Sequence, residues 1–479
     1  MKRKNLRRLA FSMMIFLLSA GVNAQNIWRH GRLKVAQNGC DLCFDDGYPF
    51  FWLGDTGWEL FHRLTLPEII FYLDNRAAKG FNVIQAVVLA EFDGLQKPNR
   101  YGDLPFKNSN PALPNESYFK LIDSVIQLAY QRGIFIGLLP TWGDKVTRNW
   151  GMGPVIFDSL NAYLYGKWIG NRYKKSQNII WILGGDRPSK SDSTDWTPVW
   201  RAMAKGIKEG TENKCIITYH PSGGSYSTSQ FLQNESWLDI NMIQSGHGGG
   251  HDVACWNLIK RDRSMLPAKP TLDAEPNYED HPVNPWPKWN TDSGYYRAYD
   301  VRKQLYRSVF AGACGVTYGH HSIWQFMSAY EEAINYPDRG WINALDRPGA
   351  SQAGYLKNLI QSRPFMNRIA DSTLIMEPAG IKGDHIESFR AADSSFAMIY
   401  LPVGRSATLN TSIFKHSEIM VWWFNPRENT IVKGLIEKKP AMLFTTPSLG
   451  IGNDWVMIID DPTFKYGYPA GSIYYNTKK

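Results

Sequence analysis

The chain lacks several features that would have decided its class at once. After its first apolar run there is no glycine-rich phosphate turn. Leu53-Gly54-Asp55-Thr56 stands there instead, which argues against a doubly wound nucleotide-binding sheet. No G-x-S-x-G elbow is present, which counts against a serine esterase. Cysteines are few, five in 479 residues. Cys40 and Cys43 form a C-x-x-C pair, but neither a thioredoxin-like βαβ context nor a second pair for zinc accompanies them. A short-loop disulfide is the expectation for that pair, and buried free thiols for Cys215, Cys255 and Cys314. His247-Gly-Gly-Gly-His251 has two candidate ligands, but its glycines make a loop rather than the helix of the zinc-protease motif. No metal and no cofactor are therefore expected. Beyond the N-terminus no apolar run is long enough to span a membrane, and no basic cluster implies nucleic acid.

The N-terminus reads as a secretory signal. Lys2, Arg3, Lys4, Arg7 and Arg8 precede an apolar run from Leu9 to Val22, and Val22-Asn23-Ala24 suits cleavage before Gln25. Residues 1–24 are assigned to this segment, and the mature protein is expected outside the cytoplasm, secreted or periplasmic. The segment holds five of the cations behind the formal charge of +9 and no acid, so removing it leaves +4. Eighteen Trp and 24 Tyr exceed what a core needs. Flat aromatic faces stack on the apolar C–H faces of sugar rings, so a carbohydrate partner is implied. A monomer is expected.

From Phe50 to Trp324 one rhythm repeats: a short apolar run, a polar and aromatic turn, an amphipathic stretch. The runs are 50–53, 82–90, 134–140, 178–183, 215–219, 239–243, 270–274 and 315–318. Several are continuously apolar, as strands buried on both faces are. Thr65-Leu66-Pro67-Glu68 is a capping box that opens a helix running to Gly80, and Asn115 caps another that stops at Gly133. Eight β-then-α units predict a (β/α)₈ TIM barrel over residues 25–365. After Pro364 short alternating runs separated by turn signals predict a small antiparallel β-sandwich over residues 366–479.

Active sites of such barrels sit at the C-terminal strand ends. Reading those ends in order yields Asp55 and Trp58, Glu91, Trp142, Asp186, His220, Gln244 and His247, Glu275, then His320, His321 and Trp324. Asp186 follows a double glycine and Glu275 precedes Pro276, which stops its strand. Strands four and seven lie three apart around the ring, so their acids can face each other across a substrate. That is the layout glycoside hydrolysis needs: one carboxyl protonates the leaving oxygen and the other attacks or activates water. Asp186 and Glu275 are taken as the catalytic pair, with Asp273 and Glu279 as local rivals to Glu275. The remaining strand-end residues are candidate sugar contacts, with His220 or Gln244 as donors to Glu275 and Glu91 as a neighbour that tunes Asp186. A non-catalytic glycan-binding barrel would keep the aromatic rim without needing both acids.

Trp52-Leu53-Gly54-Asp55-Thr56-Gly57-Trp58, Lys79-Gly80-Phe81-Asn82-Val83-Ile84-Gln85, Gly184-Gly185-Asp186, Asp273-Ala274-Glu275-Pro276-Asn277-Tyr278-Glu279 and Leu345-Asp346-Arg347-Pro348-Gly349-Ala350 together resemble the apiosidase-like glycoside hydrolases, family 140. The resemblance covers residues from about 28 to 365, and the tail is similar to the collagen-binding-type β-domain often attached to them. It implies a retaining barrel with Asp186 as acid/base and Glu275 as nucleophile. It also implies a pectic, apiose-linked substrate, with an arabinofuranoside or galactoside as same-mechanism alternatives. The broader clan carries Asn-Glu at the strand-four end, where this chain has Gly185-Asp186.

Overall fold

The computed structural model describes residues 27–224, 227–283, 288–470 and 473–474, so the expected signal segment lies outside the described residues. Eight parallel strands form one sheet. In chain order they are β1 (Trp52–Thr56), β2 (Val83–Val87), β3 (Phe135–Leu139), β4 (Ile179–Gly184), β5 (Ile217–His220), β6 (Asn241–Ile243), β7 (Thr271–Asp273) and β8 (Gly315–Tyr318). The order around the sheet is β5-β4-β3-β2-β1-β8-β7-β6. A parallel bridge between Thr218 and Ile240, reinforced by Thr218 Oγ1 donating to the Ile240 carbonyl at 2.7 Å, brings β5 against β6 and closes the barrel.

The apolar runs are continuous because both faces of each strand are buried. On β4, Ile180 and Ile182 join the interior with Val83, Val87 and Phe135, while Ile179, Trp181 and Leu183 face the helices. The helices are α1 (Leu66–Ala78), α2 (Glu116–Gln131), α3 (Ser159–Tyr173), α4 (Thr197–Gly210), α5 (Cys255–Arg263), α6 (Ala298–Phe310) and α7 (Pro348–Gln361). The expected capping box opens α1, with Glu68 Oε2 accepting from Thr65 N at 2.8 Å, and Asn115 caps α2. A three-stranded antiparallel sheet (Leu33–Val35, Leu42–Phe44, Pro49–Phe50) packs Phe44 and Phe50 against Phe135 at the start of β3. The short-loop disulfide is not formed: all five cysteines are free thiols. Cys43 is buried in the middle of that sheet, while Cys40 lies half-buried in the preceding turn.

The tail builds a seven-stranded sheet and a two-stranded ribbon. The strands are β9 (Arg368–Ala370), β10 (Glu387–Ala391), β11 (Phe396–Leu401), β12 (Gly404–Asn410), β13 (Glu418–Asn425), β14 (Thr430–Glu437), β15 (Ala441–Gly450), β16 (Trp455–Asp460) and β17 (Ile473–Tyr474). The antiparallel module was legible, but its central strands are not half-exposed. One face of the large sheet, with Met398, Tyr400, Phe424 and Ile458, shares a core with Leu305, Tyr306, Val309 and Phe310 of α6 and Leu356 and Ile360 of α7. The other, with Ile399, Val421 and Met457, packs on Leu409 and Phe444 of the β12–β15 ribbon. Two bidentate ion pairs lock the joint: Arg302 to Asp454 at 2.7 and 2.7 Å, and Arg363 to Asp460 at 2.9 and 2.6 Å. Among the described residues no helix is long and apolar enough to cross a membrane.

Because that core is shared, deleting residues 366–479 should expose the apolar faces of α6 and α7, giving a barrel that unfolds earlier or aggregates. Arg302→Met should lower unfolding stability in urea by up to about 3 kcal/mol, since it takes the bidentate partner from the buried Asp454 and leaves it only Arg427 Nη1 at 3.3 Å and the Tyr400 hydroxyl at 2.9 Å. Adding Asp454→Leu should recover part of the loss. A truncated barrel with an unchanged melting temperature would show the tail to be an independent appendage.

Candidate active site

A cleft of about 490 Å³ opens at the C-terminal strand ends, lined among others by Trp58, Glu91, Trp142, Asp186, Gln244, His247, Glu275 and Trp324. Eight of the residues singled out from the sequence thus meet in one place.

The backbone around Asp186 is built to aim it. Gly184, Gly185 and Asp186 all have positive φ, 83°, 106° and 55°. Glycine tolerates this, but aspartate adopts it at a cost of about 1–3 kcal/mol that the surroundings must over-determine. Both glycines are also sterically required. A Cβ at residue 184 would lie 2.3 Å from the His220 carbonyl, and one at residue 185 would lie 2.8 Å from the Trp142 ring. The turn is held by Gly185 N donating to the His220 carbonyl at 3.0 Å and Gly143 N donating to the Gly185 carbonyl at 3.2 Å.

Glu275 sits just past β7, facing two imidazoles. His220 Nε2 lies 3.1 Å from one oxygen and His247 Nε2 lies 3.0 Å from the other. A carboxylate only accepts, so His247, which hydrogen-bonds Oε1, carries its proton on Nε2, whereas His220 Nε2 faces Oε2 as a close ion-pair contact outside hydrogen-bond geometry. Gln244, the alternative donor, lines the cleft without bonding Glu275. His220 is fully buried, and its Nδ1 lies 3.9 Å from Asp186 Oδ1, so one ring stands between both acids. An oxygen of Asp186 and one of Glu275 lie within 4.8 Å of each other.

This spacing drives the two acids apart electrostatically. Burial raises Asp186, Glu275 beside it raises it further, and Glu91 adds to the effect, so its carboxyl is pushed up to about 7. Burial works on Glu275 in the same direction, but His220 and His247 overcome it and hold it at about 2. Burial disfavours a charged His220, yet the adjacent Glu275 and Asp186 outweigh burial and raise it. Below about pH 7 the pair is therefore one protonated acid and one carboxylate, which is the division of labour that glycosidases need.

Arg187 was not singled out from the sequence. It is fully buried and donates from Nη2 to Glu91 Oε1 at 3.1 Å. Glu91 is raised by burial and by Asp144, against the pull of Arg187. Tyr278 and His281 were missed too, although both line the cleft. Tyr278 accepts from Trp58 Nε1 at 3.0 Å, and its ring passes where a Cβ on residue 319 would stand, so Gly319 is the sequence signal for it. His281 donates from Nδ1 to the Pro282 carbonyl at 2.7 Å and stacks on His247 at 4.5 Å between ring centroids.

Two expected sugar contacts are corrected. Asp55 does not follow the first strand; it lies within it, facing outward, fully buried, where Tyr72 OH and Arg76 Nε of α1 bind its Oδ2 at 2.7 and 2.5 Å. His320 is likewise fully buried. Its Nδ1 caps the short helix His321–Trp324 and its Nε2 meets Asp280 Oδ2 at 3.1 Å. The rivals to Glu275 also turn away: Asp273 accepts from Ser245 and Ser308, and Glu279 from Tyr318 and Gly349. His247 and His251 part company as well, since His251 pairs with Asp300 at 2.9 Å on the surface.

A closed parallel barrel whose strands four and seven deliver one raised and one depressed carboxyl into a single cleft is the architecture of a glycoside hydrolase. The family model for "Apiosidase-like, catalytic domain" matches residues 36–367, and that for "Putative collagen-binding domain of a collagenase" matches residues 369–460. A glycoside hydrolase family 5 structure from Bacteroides vulgatus is 30% identical with a TM-score of 0.84, over 92% of this chain and 96% of that one. A second structure, titled only "Glycoside hydrolase", is 31% identical with a TM-score of 0.82, over 92% of this chain and 99% of that one. No curated protein matches the chain. The chain belongs to the apiosidase-like family of glycoside hydrolases.

Asp186, His220 and Glu275 are also the described residues whose ligand atoms cluster closely enough to hold a metal ion. The charge pattern above already accounts for all three without one, so hydrolysis should survive EDTA. Complete loss that a divalent metal restores would reassign them as ligands. A second expectation follows from the two imidazoles. His247→Ala removes one of the groups that depress Glu275, so the acid limb of the kcat/KM profile should move to higher pH. An acid limb left in place would show that His247 does not hold the Glu275 charge.

Proposed function

We propose that the enzyme is an exported, retaining exo- or endo-acting hydrolase of plant pectic glycan, with apiose as the first sugar to test. The carrying observation is the pair of carboxylate oxygens within 4.8 Å. Retaining pairs stand about 5–5.5 Å apart, whereas inverting pairs leave about 6.5–9.5 Å for a water. Export rests on the basic and apolar segment before Gln25. Apiose and pectin rest on the family, with an arabinofuranoside and a galactoside as the next glycosides to test. The enzyme is proposed to act as a monomer.

In the reaction, Glu275 attacks the anomeric carbon as Asp186 gives its proton to the departing oxygen, leaving a glycosyl ester on Glu275. Asp186, now a carboxylate, takes a proton from water, whose oxygen attacks the same carbon and frees Glu275. Glu275 must be ionised, so activity needs pH above its pKa of about 2. Asp186 must be protonated, so activity needs pH below about 7. The two limbs belong to the pair as a unit.

A screen of pectic side-chain oligosaccharides and aryl glycosides tests this reading. Turnover should fall as pH rises through about 7, and the released sugar should keep its anomeric configuration by proton NMR. Glu275→Ala should abolish turnover on every substrate. Asp186→Ala should be most damaging where the leaving group is poor, and azide should rescue it on an aryl glycoside as a glycosyl azide. Near-normal rates for both variants would remove these carboxylates from catalysis.

A further inference from the structure

We propose that Trp150 is the stacking platform for the first sugar ring on the leaving-group side of the cleaved bond, which makes the substrate an oligosaccharide or polysaccharide rather than a glycoside of a small alcohol. This rests on the hydrolase reading and adds to it a subsite and its occupant.

Trp150 lines the cleft, yet 45% of it is exposed. Its position is nevertheless imposed. Arg187, with no solvent exposure of its own, donates to the Trp150 carbonyl from Nε at 3.1 Å and Nη2 at 2.9 Å. The same guanidinium lies 4.3 Å from the centroid of the indole ring. The next residue, Gly151, has φ 97°, and a Cβ there would stand 2.5 Å from Arg187 Nη2. Two residues further on, Gly153 N donates to the buried Asp144 at 2.8 Å. A fully buried cation and two glycines thus hold an aromatic ring out into the cleft with one face backed and the rest open.

The side of the cleft follows from connectivity. Arg187 is the residue after Asp186, and it reaches both Trp150 and Glu91. The opposite wall, around Glu275, is made of His247, Tyr278 and His281. Asp186 protonates the departing oxygen, so a group on its side meets the leaving group. The chemistry that matches a half-exposed indole there is the apolar C–H face of a sugar ring.

The test compares two substrates with the same glycone: an oligosaccharide, whose leaving group is a sugar, and the glycosyl fluoride, whose leaving group has no ring. Trp150→Ala should lower kcat/KM on the oligosaccharide by about tenfold, chiefly through KM, and by at least about threefold more than on the fluoride. Trp150→Phe, which keeps a flat apolar face, should restore most of the oligosaccharide rate. Equal losses on both substrates, or no rescue by phenylalanine, would overturn the subsite while leaving the hydrolase intact. A wild-type protein that cleaves neither substrate would overturn the hydrolase reading and the subsite with it.

Discussion

Two carboxylate oxygens within 4.8 Å in a largely buried floor repel each other, so ionising the second is costly, and the surroundings of the cleft are arranged around that fact. The conflict is resolved by asymmetry rather than by distance. Glu275 receives imidazoles from two different strand ends, His220 after β5 and His247 after β6. Asp186 receives none at hydrogen-bond distance and is left beside Glu275 and Glu91. The strained turn through Gly184 and Gly185 belongs to the same solution. It carries Asp186 over the His220 carbonyl and across the Trp142 ring, an approach that a side chain on either glycine would block.

The other acids of the sequence motifs serve the scaffold that keeps this floor still. Asp55 ties β1 to α1 through Arg76, whose Nη1 in turn donates to the Leu345 carbonyl at 3.0 Å. Lys79 and Asn75 hold Asp346, Gly349 N donates to Glu279, and Arg347 reaches Asp280. Asp280 is fully buried among His320 and the side chains of Arg297, Arg339 and Arg347. The segment from 345 to 350 therefore fastens helices and strand ends behind the cleft without entering it.

That division explains what could be read from the sequence. Eight buried runs with capped helices between them are a local signal, and they located the eight strands to within a few residues. The place of Asp186 and Glu275 at the cleft was legible because a glycine pair and a proline marked where their strands end. Asp55 was misplaced by a shift of the first strand: the run beginning at Phe50 hides a break, so Asp55 lies inside β1 with its side chain on the helix face. His320 cannot be told from His220 by position after a strand, since both are buried and what separates them is which acid lies opposite, Asp280 away from the cleft or Glu275 in its lining. Arg187, Tyr278 and His281 were missed because their roles depend on contacts with residues 37, 220 and 34 positions away. In the tail, alternation was a fair guide to strands but not to burial, because both faces of the large sheet are covered.

The tail and the cleft meet in one helix. From Val301 to Phe310 every residue of α6 is buried, which an ordinary outer helix of a barrel would not be. One set of its side chains reaches the cleft supports. Gln304 accepts from Asn277 N and donates to Ser245, and Ser245 and Ser308 both bond Asp273, two residues before Glu275. Another set reaches the tail, through Arg302 to Asp454, Arg307 to the Lys382 carbonyl and Tyr306 stacked on Tyr400. A barrel helix with polar side chains committed on both sides cannot keep its place if one side is lost to water. The β-domain thus acts on the cleft through α6, by fixing the helix against which the strand-seven end is hydrogen-bonded.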